Sequence, residues 1–261
     1  MSTPTSSPTT GAAPEPRRVV VTGGGTGLGA AIAERFARDG DDVLVVGRRR
    51  EKLEETARRI DAEVGRAAVA VHACDLTDPA AVEELARDVA AGGAVDVLVA
   101  NAGGGSTRAG ADLAETAELT TDLFRLNVLT TVLTIEALRP HLRRPGARVI
   151  TLSSIAGVRG GGTYGAMKGA ISSLTLGLAA ELGPDGVTVN ALAPGFVPDT
   201  EFWDGRLSDE AVDQRVRPTL LGRAGLPSEV ADAAAYLAGP GAAWTTGQIL
   251  QVNGGACLGR G

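Results

Sequence analysis

Short apolar runs alternate with amphipathic stretches along most of the chain. RVVVT at 18–22 is apolar and β-branched, and GLGAAIAERFARDG at 27–40 then has apolar residues at helical spacing up to Gly40. Comparable apolar runs predict seven strands, at 18–22, 42–47, 67–75, 95–103, 147–154, 187–195 and 248–255. The stretches between them predict helices, at 27–40, 49–65, 79–91, 116–141, 163–182 and 227–238. Residues 196–216 follow no regular pattern.

This alternation predicts the fold class. Strands that are near-continuous apolar runs, each separated by a helix, indicate a parallel sheet covered on both faces. Right-handed crossovers then give an α/β fold of the Rossmann type, a doubly wound seven-stranded sheet with one core. We assign a single dinucleotide-binding and catalytic domain to 17–261. Residues 1–16, rich in Pro, Ser and Thr, predict a disordered N-terminal tail without the apolar region of a signal peptide.

Composition excludes several classes of function. The formal net charge of −6 gives no reason to expect binding to nucleic acid or to an anionic membrane. No apolar run is long enough to span a bilayer. The two cysteines fit a reducing compartment better than a disulfide scaffold, so we expect a cytoplasmic protein. His72 and Cys74 share a strand face without further ligands, so we expect core residues and no metal site.

A glycine-rich loop, TGGGTGLG at 22–29, joins the first strand to the first helix. Gly23 allows a sharp turn, Gly27 lets the backbone approach a pyrophosphate, and Gly29 lets helix and strand pack closely. The free N–H groups of the helix N-terminus favour a phosphate there. A flexible turn is the alternative, but the strand-loop-helix context favours a dinucleotide, with Thr26 and Leu28 also in contact.

The end of the second strand bears on the choice of cofactor. A site selecting NAD places an acid there to bind the ribose 2′-hydroxyl, whereas this chain has Gly47 followed by three arginines. A cation beside that position suits the 2′-phosphate of NADP. We therefore expect NADP(H) in preference to NAD(H). We expect Arg48 to contact the 2′-phosphate, with Arg49 beside it. The alternative is a solvated basic start to a helix.

Tyr164 and Lys168 are four residues apart on a predicted helix and so face the same side. A nearby ammonium stabilises phenolate and lowers the tyrosine pKa, which suits proton exchange with a carbonyl or carbinol. The fifth strand ends at the pair Ser153 and Ser154, where a hydroxyl can bind the substrate oxygen. Such spacing is common, and an exposed helical pair is the alternative.

Together these motifs resemble those of the short-chain dehydrogenase/reductase family, in its compact single-domain branch. The matches are TGGGTGLG, DL at 75–76, NAG at 101–103, Asn127 in RLNV, the serine pair, YGAMK, NALAPG and QVNGG. They span about 18–255, nearly the whole chain. The resemblance extends to enzymes of the 3-oxoacyl-ACP reductase type.

The resemblance implies four catalytic residues. Tyr164 would be the general acid in reduction and the base in oxidation, and Lys168 would lower its pKa and bind the nicotinamide ribose. Ser154 would bind the substrate oxygen, and Asn127 would hold a water that links Lys168 to solvent. Ser154 lies ten residues before Tyr164, closer than is usual in the family. Thr151 has the wider spacing but lies inside the strand, so we prefer Ser154 with a shortened loop, GVRGGG.

The resemblance also implies further cofactor contacts. Asp75 and Leu76 would meet the adenine, and Val197 would reach the carboxamide through its backbone. The remaining candidates lie at strand ends, and they are Asn101, Ala102, Gly103, Pro194, Gly195 and Thr200. The segment PGFVPDT at 194–200 is one residue longer than the family's usual stretch, which leaves the alignment of Thr200 open.

The substrate is less defined. Phe196, Phe202 and Trp203 in the irregular segment are three of eight aromatic residues, so they suggest a lid over an apolar substrate, although helix packing would also explain them. A substrate carried on acyl carrier protein would require basic residues at the entrance to the site. The candidates are Arg143, Arg144 and Arg159. The resemblance further implies a homotetramer formed through helices 116–141 and 163–182 and the last strand.

The expected function is that of an NADP(H)-dependent oxidoreductase of class EC 1.1.1.- acting on a small ketone or secondary alcohol, with the ketoreductase direction favoured. One alternative is a reductase specific for 3-oxoacyl thioesters or polyketides. Another is a non-catalytic NADP-binding sensor on the same fold. A serine hydrolase is poorly supported, because no G-x-S-x-G motif is present and the two histidines lie in the third strand (His72) and at a helix end (His141).

Overall fold

The computed structural model describes residues 16–105, 108, 110–198, 200, 203 and 207–259. Apart from Pro16, the expected N-terminal tail lies outside these residues, and so does Phe202. The strands are Arg18–Thr22 (β1), Asp42–Gly47 (β2), Val69–Ala73 (β3), Val97–Ala100 (β4), Arg148–Leu152 (β5), Thr188–Pro194 (β6) and Ile249–Val252 (β7). The helices are Gly27–Arg38 (α1), Arg50–Val64 (α2), Pro79–Ala91 (α3), Leu113–Phe124 (α4), Thr130–Leu138 (α5), Ile155–Arg159 (α6), Gly162–Leu182 (α7), Asp209–Val216 (α8) and Pro227–Ala238 (α9).

The seven strands form one parallel sheet in the order β3-β2-β1-β4-β5-β6-β7. The chain therefore builds outward from β1 in one direction, crosses over after β3, and builds outward in the other. The crevice between β1 and β4, at the carboxyl ends of the strands, is where ligands bind in such sheets. The predicted Rossmann-type fold class is confirmed.

The core has two layers, one on each face of the sheet. Along β1, Val19 and Val21 join the cluster that includes α1 and α9, while Val20 joins the cluster that includes α3, α5 and α7. Successive residues of a strand point to opposite faces, so one short apolar run contributes to both layers. All three valines are completely buried.

The structure differs from the predicted elements in three places. The helix expected at 116–141 is interrupted by a turn of π-helix at Arg125–Leu129. The loop expected between strand five and the Tyr164 helix is largely the short helix α6. The irregular segment after β6 contains α8, whose first turn is capped by the Ser208 side chain, which accepts a hydrogen bond from the amide of Ala211. Among the described residues, no helix has the length and apolarity needed to cross a bilayer.

Candidate active site

The glycine loop leaves the end of β1 in a conformation that only glycine adopts easily. Gly23 has φ +66° and its amide donates to the carbonyl of Val46 at 2.7 Å, which ties the loop to β2. A methyl group on Gly29 would lie 2.1 Å from the carbonyl oxygen of Gly23, so α1 could not pack this closely with any other residue there. The close packing expected of Gly29 is therefore a steric requirement of the loop.

A pair of polar side chains joins this loop to the end of β4. The Thr22 hydroxyl accepts from the amides of Asn101 and Ala102, each at 3.0 Å. The side-chain amide of Asn101 donates to the carbonyl of Thr22 at 2.8 Å. These bonds hold the two strand ends on either side of the crevice at a fixed separation. The role of Thr22 was not predicted, because in the sequence this threonine looks like one more β-branched residue of the first strand.

A cavity of about 620 Å³ opens at the carboxyl ends of the strands. Its volume lies in the range of small-molecule and cofactor sites. The predicted cofactor residues all line it, and they are Gly23, Thr26, Gly27, Leu28, Gly29, Arg48, Arg49, Asp75, Leu76, Asn101, Ala102, Gly103, Tyr164, Lys168, Pro194, Gly195, Val197 and Thr200. Ser154, Phe196 and Trp203 line it as well, whereas Asn127 does not.

Ser154 and Tyr164, which both line the cavity, share a hydrogen bond between their hydroxyl groups. Ser154 is the N-cap of α6, and its Oγ also accepts from the amide of Ala156 at 3.1 Å. The cap fixes the serine rotamer directly after the end of β5. Burial raises the pKa of Tyr164 to about 12, and the hydrogen bond with Ser154 opposes this shift.

Lys168 is buried one helical turn from Tyr164. Its Nζ donates to the carbonyl oxygen of Leu152 at 2.9 Å and lies 5.8 Å from the centroid of the Tyr164 ring. Burial lowers the pKa of Lys168 to about 8. The expectation that the ammonium lowers the Tyr164 pKa is not met here, since desolvation dominates that pKa and the ammonium is engaged by the Leu152 carbonyl.

Two neighbouring hydroxyl groups, that of Thr151 on β5 and that of Ser153 directly after it, have packing roles. Ser153 is buried, and its Oγ donates to the carbonyl of Lys168 at 2.9 Å and lies 2.8 Å from the hydroxyl of Ser172. Thr151 is completely buried against Thr175, with 2.7 Å between their hydroxyls. Both bonds fasten β5 to α7, which positions the helix that carries Tyr164.

Asn127 lies in the π-helical turn, completely buried behind the cavity wall. Its side chain donates to the carbonyl of Gly104 at 2.7 Å and accepts from the amide of the same residue at 3.2 Å. A methyl group on Gly103 would lie 2.8 Å from Asn127 Oδ1 and 3.3 Å from Lys168 Nζ. Asn127 and Lys168 thus both approach the point where a Gly103 side chain would be, and the asparagine side chain holds the loop after β4.

Basic groups gather around the end of β2. Arg48, Arg49 and Lys52 line the cavity there, and Gly47 leaves room beside them. Asp75 accepts from the amide and hydroxyl of Thr77 at 3.0 and 2.8 Å. Those bonds lower the pKa of Asp75, and the charge of Arg48 adds to the effect. The position of Lys52 at the cavity was not predicted. The sequence did carry a signal, because the chain has only two lysines.

An aromatic pair also lines the cavity. Phe196 and Trp203 pack edge to face, with 5.3 Å between ring centroids and an interplanar angle of 78°. The guanidinium carbon of Arg215 lies 4.7 Å from the centroid of Trp203 and 5.9 Å from that of Phe196. Thr200 lies near the glycine loop, 3.2 Å from where a methyl group on Gly27 would be. Arg215 and Arg159 also line this cavity.

The expectation of a basic entrance built from three arginines is wrong for two of them. Arg143 pairs with Asp96, and Arg144 pairs with Asp185 at 2.6 Å. Both precede β5, whereas the cavity lies at the carboxyl end of that strand. Only Arg159 lies at the cavity, because the intervening strand carries the chain from one edge of the sheet to the other.

The two candidate ligands on β3 are not equivalent. Cys74 is buried, while His72 is half-buried with its Nδ1 3.3 Å from Asp88. The interpretation of His72 as a core residue is therefore wrong. Within the described part of the chain, no three His, Cys, Asp or Glu residues lie close enough together to hold a metal ion.

Comparison with known proteins gives matches over nearly the whole chain. A family model described as enoyl-(acyl carrier protein) reductase matches residues 23–257. The short-chain reductase protein NovJ of Streptomyces niveus is 36% identical, over 98% of this chain and 99% of that protein. The 3-oxoacyl-[acyl-carrier-protein] reductase FabG of Chlamydia trachomatis is 33% identical, over 92% and 96%. A crystal structure of a short-chain dehydrogenase from Burkholderia cenocepacia in complex with NADP has a TM-score of 0.81 and 34% identity, over 92% and 97%.

Proposed function

Because the chain belongs to the short-chain dehydrogenase/reductase family of oxidoreductases, we propose that it reduces a small-molecule ketone to a secondary alcohol with NADPH. The observation that carries this proposal is the hydrogen-bonded pair of Ser154 and Tyr164 in the same cavity as the glycine loop. A bound NADPH supplies the hydride. The protein's own part is to hold the carbonyl oxygen and give it a proton.

Tyr164 is suited to be the proton donor. With its pKa raised to about 12 by burial, the phenol is protonated at neutral pH, which is the form that a general acid needs. Ser154 Oγ holds the same oxygen, because it shares a hydrogen bond with the phenol and its rotamer is fixed by the cap of α6. The protonated phenol favours the ketoreductase direction over alcohol oxidation.

Lys168 and Asn127 support this pair from behind. With a pKa of about 8, Lys168 is mostly charged at neutral pH, and its position beside the tyrosine ring suits the nicotinamide ribose. Asn127 holds the loop at Gly104 next to it. We propose that a water near Asn127 links Lys168 to solvent and restores the proton of Tyr164.

The residues present fit a dinucleotide. Gly23 and Gly29 keep the glycine loop tight, since a methyl group on either would clash with the Asn101 side chain, and the first residues of α1 line the cavity. Arg48 and its basic neighbours favour a 2′-phosphate, and hence NADP(H) over NAD(H). The Burkholderia protein that this chain resembles was crystallised with NADP, which supports the same choice.

The substrate class has two candidates that the comparisons favour. FabG is named as a 3-oxoacyl reductase, so a 3-oxoacyl thioester is one form of the proposed ketone. The matching family model is described as an enoyl reductase, which acts on a carbon–carbon double bond. Two hydroxyls that share a hydrogen bond suit an oxygen at the reacting bond, so we propose a carbonyl.

We further propose a homotetramer located in the cytoplasm. Phe124 on α4 and Leu176 on α7 are large apolar side chains with 45% and 52% exposure, on two helices expected to form the interface. β7 is an edge strand of the sheet and is available for pairing with a second copy. Both cysteines are free thiols, as a reducing compartment would leave them. Light scattering on the purified protein tests the tetramer.

The function is tested with purified protein, NADPH or NADH, and a panel of ketones, 3-oxoacyl thioesters and an enoyl thioester. Replacing Tyr164→Phe should reduce ketone turnover about a hundredfold to ten-thousandfold while NADPH still binds. The control is Tyr236→Phe, which changes the other tyrosine, half exposed on α9. Turnover of the enoyl thioester alone would identify an enoyl reductase. Tight NADPH binding without turnover of any substrate would identify a sensor.

A further inference from the structure

The charge of the cavity lining is opposite to that of the chain. The protein has a formal net charge of −6. Among the described residues that line the cavity, however, six side chains are basic and only Asp75 is acidic. Three of the six lie at or just after the end of β2, where the adenosine ribose would bind, and a fourth is Lys168. The proposed function therefore gives no role to two basic residues, Arg159 and Arg215.

Arg215 is held in position without an ion pair to any residue that the structure describes. Its guanidinium packs against Trp203 and Phe196, and Nη1 donates to the carbonyl of Ala211 at 2.9 Å. Packing on aromatic rings orders a long side chain while its in-plane N–H donors stay available. In this state arginine can bind a carboxylate or phosphate with two parallel hydrogen bonds. Among the residues that the structure describes, no carboxylate lies within ion-pair distance of Arg215.

Arg159 reaches the cavity from a different element. It is the last residue of α6, the helix that begins immediately after Ser154. Fewer than two helical turns therefore separate Arg159 from the serine that binds the substrate oxygen. It is exposed, and it forms no ion pair with any described residue. The other two arginines considered for an entrance, Arg143 and Arg144, are paired with Asp96 and Asp185. Within the described part of the chain, the cavity thus presents two guanidinium groups, on two elements, that have no carboxylate partner.

We propose that the substrate carries an anionic group, a carboxylate or a phosphate, away from its reacting carbonyl, and that Arg215 and Arg159 bind this group. The inference rests on the proposed function, in which Ser154 and Tyr164 hold the carbonyl oxygen. Phe196 and Trp203 then contact the apolar part of the substrate between its two polar ends. The arginines select the substrate and take no part in proton transfer.

The first experiment compares benzoylpropionate with its methyl ester as substrates at saturating NADPH. The ester keeps the aryl ketone and removes the charge. We expect kcat/KM to favour the acid by about tenfold or more in the wild type, and Arg215→Gln to reduce that ratio by about tenfold to a hundredfold. Arg159→Gln should reduce it in the same direction. The control is Arg217→Gln, an exposed arginine just after α8 that does not line the cavity.

A second pair of substrates distinguishes the two anions. Acetoacetyl-coenzyme A carries phosphates, and acetoacetyl-N-acetylcysteamine carries none. If only the coenzyme A pair shows a preference for its charged member, and Arg215→Gln removes that preference, the bound group is a phosphate. If only the benzoylpropionate pair shows a preference for its charged member, and Arg215→Gln removes it, the bound group is a carboxylate.

Two results would overturn the inference. One is equal kcat/KM for the charged and uncharged members of both pairs, and the other is a preference that persists in the Arg159→Gln/Arg215→Gln double variant. Calorimetric titration of benzoylpropionate and its ester into protein saturated with NADP⁺ makes the same comparison without turnover. If the acid binds no more tightly than the ester, the inference fails even when ketones are reduced. If no ketone is reduced, the proposed function fails whatever the titration gives.

Discussion

The ammonium group of Lys168 lies 5.8 Å from the centre of the Tyr164 ring and is hydrogen-bonded to the Leu152 carbonyl. Burial shifts the pKa values of these two residues in opposite directions, to about 8 for the lysine and about 12 for the tyrosine. Both shifts favour the uncharged form of the side chain. The protein therefore maintains a charged lysine in a buried position at neutral pH, and this has a cost in stability.

The cost predicts how stability depends on pH. The pKa of Lys168 is about 8 in the folded protein and 10.5 for the free side chain. Between these values the unfolded chain binds more protons, so the free energy of unfolding should rise with pH, by about 1–3 kcal/mol. Urea unfolding from about pH 7 to pH 10 measures this rise, and Lys168→Met should lack it. The raised pKa values of Cys74, about 11, and Tyr164, about 12, give slopes of the opposite sign above about pH 9 and pH 10, so the effect of Lys168 is read as the difference between wild type and Lys168→Met.

The control for this experiment is Lys52→Met, which removes the other lysine. Its side chain is 45% exposed and lies 2.9 Å from Glu55. That variant should keep the wild-type rise in stability with pH. If wild type and Lys168→Met have the same slope between about pH 8 and pH 10, Lys168 titrates as an ordinary lysine and the interpretation is wrong.

Cofactor choice should depend on the first residues after β2. Gly47 has room for a side chain, since a methyl group there would contact only Leu53, at 3.6 Å. Gly47→Asp should place an acid beside the 2′-position and repel the 2′-phosphate. We expect this variant, and to a smaller extent Arg48→Gln, to lower the ratio of kcat/KM for NADPH over NADH by about tenfold to a hundredfold.

Arg50→Gln is the matched control for these cofactor variants. Arg50 lies two residues further along, does not line the cavity, and is 3.8 Å from Glu54. Its replacement should leave the NADPH-to-NADH ratio within about twofold of the wild type. Equal loss of NADPH preference in Arg48→Gln and Arg50→Gln would mean that general positive charge, and not a specific contact, sets the preference.

The sheet could be predicted from the sequence because each strand is marked by a local run of apolar residues. An apolar run such as Val19 to Val21 can be buried on both faces only inside a covered parallel sheet. The start of α3 also carries a local signal, since the Asp78 side chain caps the helix and Pro79 is its first residue. Such features depend on neighbours along the chain and can be recognised without tertiary contacts.

The features that were not predicted depend on contacts between distant residues. A π-helical turn at Arg125–Leu129 has the same apolar spacing as an α-helix, so periodicity could not reveal it. The five residues of α6 sit before Gly160 and Gly161 and resemble a loop in composition. The start of α8 did carry a signal, Ser208 followed by two acids, but the segment around it follows no regular pattern.

Ser153 and Ser154, the two serines that follow β5, are predicted to have different roles. Ser153→Ala removes buried hydrogen bonds to Lys168 and Ser172, so it should lower the free energy of unfolding by about 1–2 kcal/mol and leave most turnover in place. Ser154→Ala removes the bond to Tyr164 and should reduce kcat by about a hundredfold or more, with about 1 kcal/mol lost from the cap of α6. Urea unfolding and ketone turnover, measured on both variants, give the comparison. The assignment of Ser154 fails if Ser153→Ala abolishes turnover in folded protein while Ser154→Ala retains it, because the hydroxyl that meets the substrate would then be the one packed against α7.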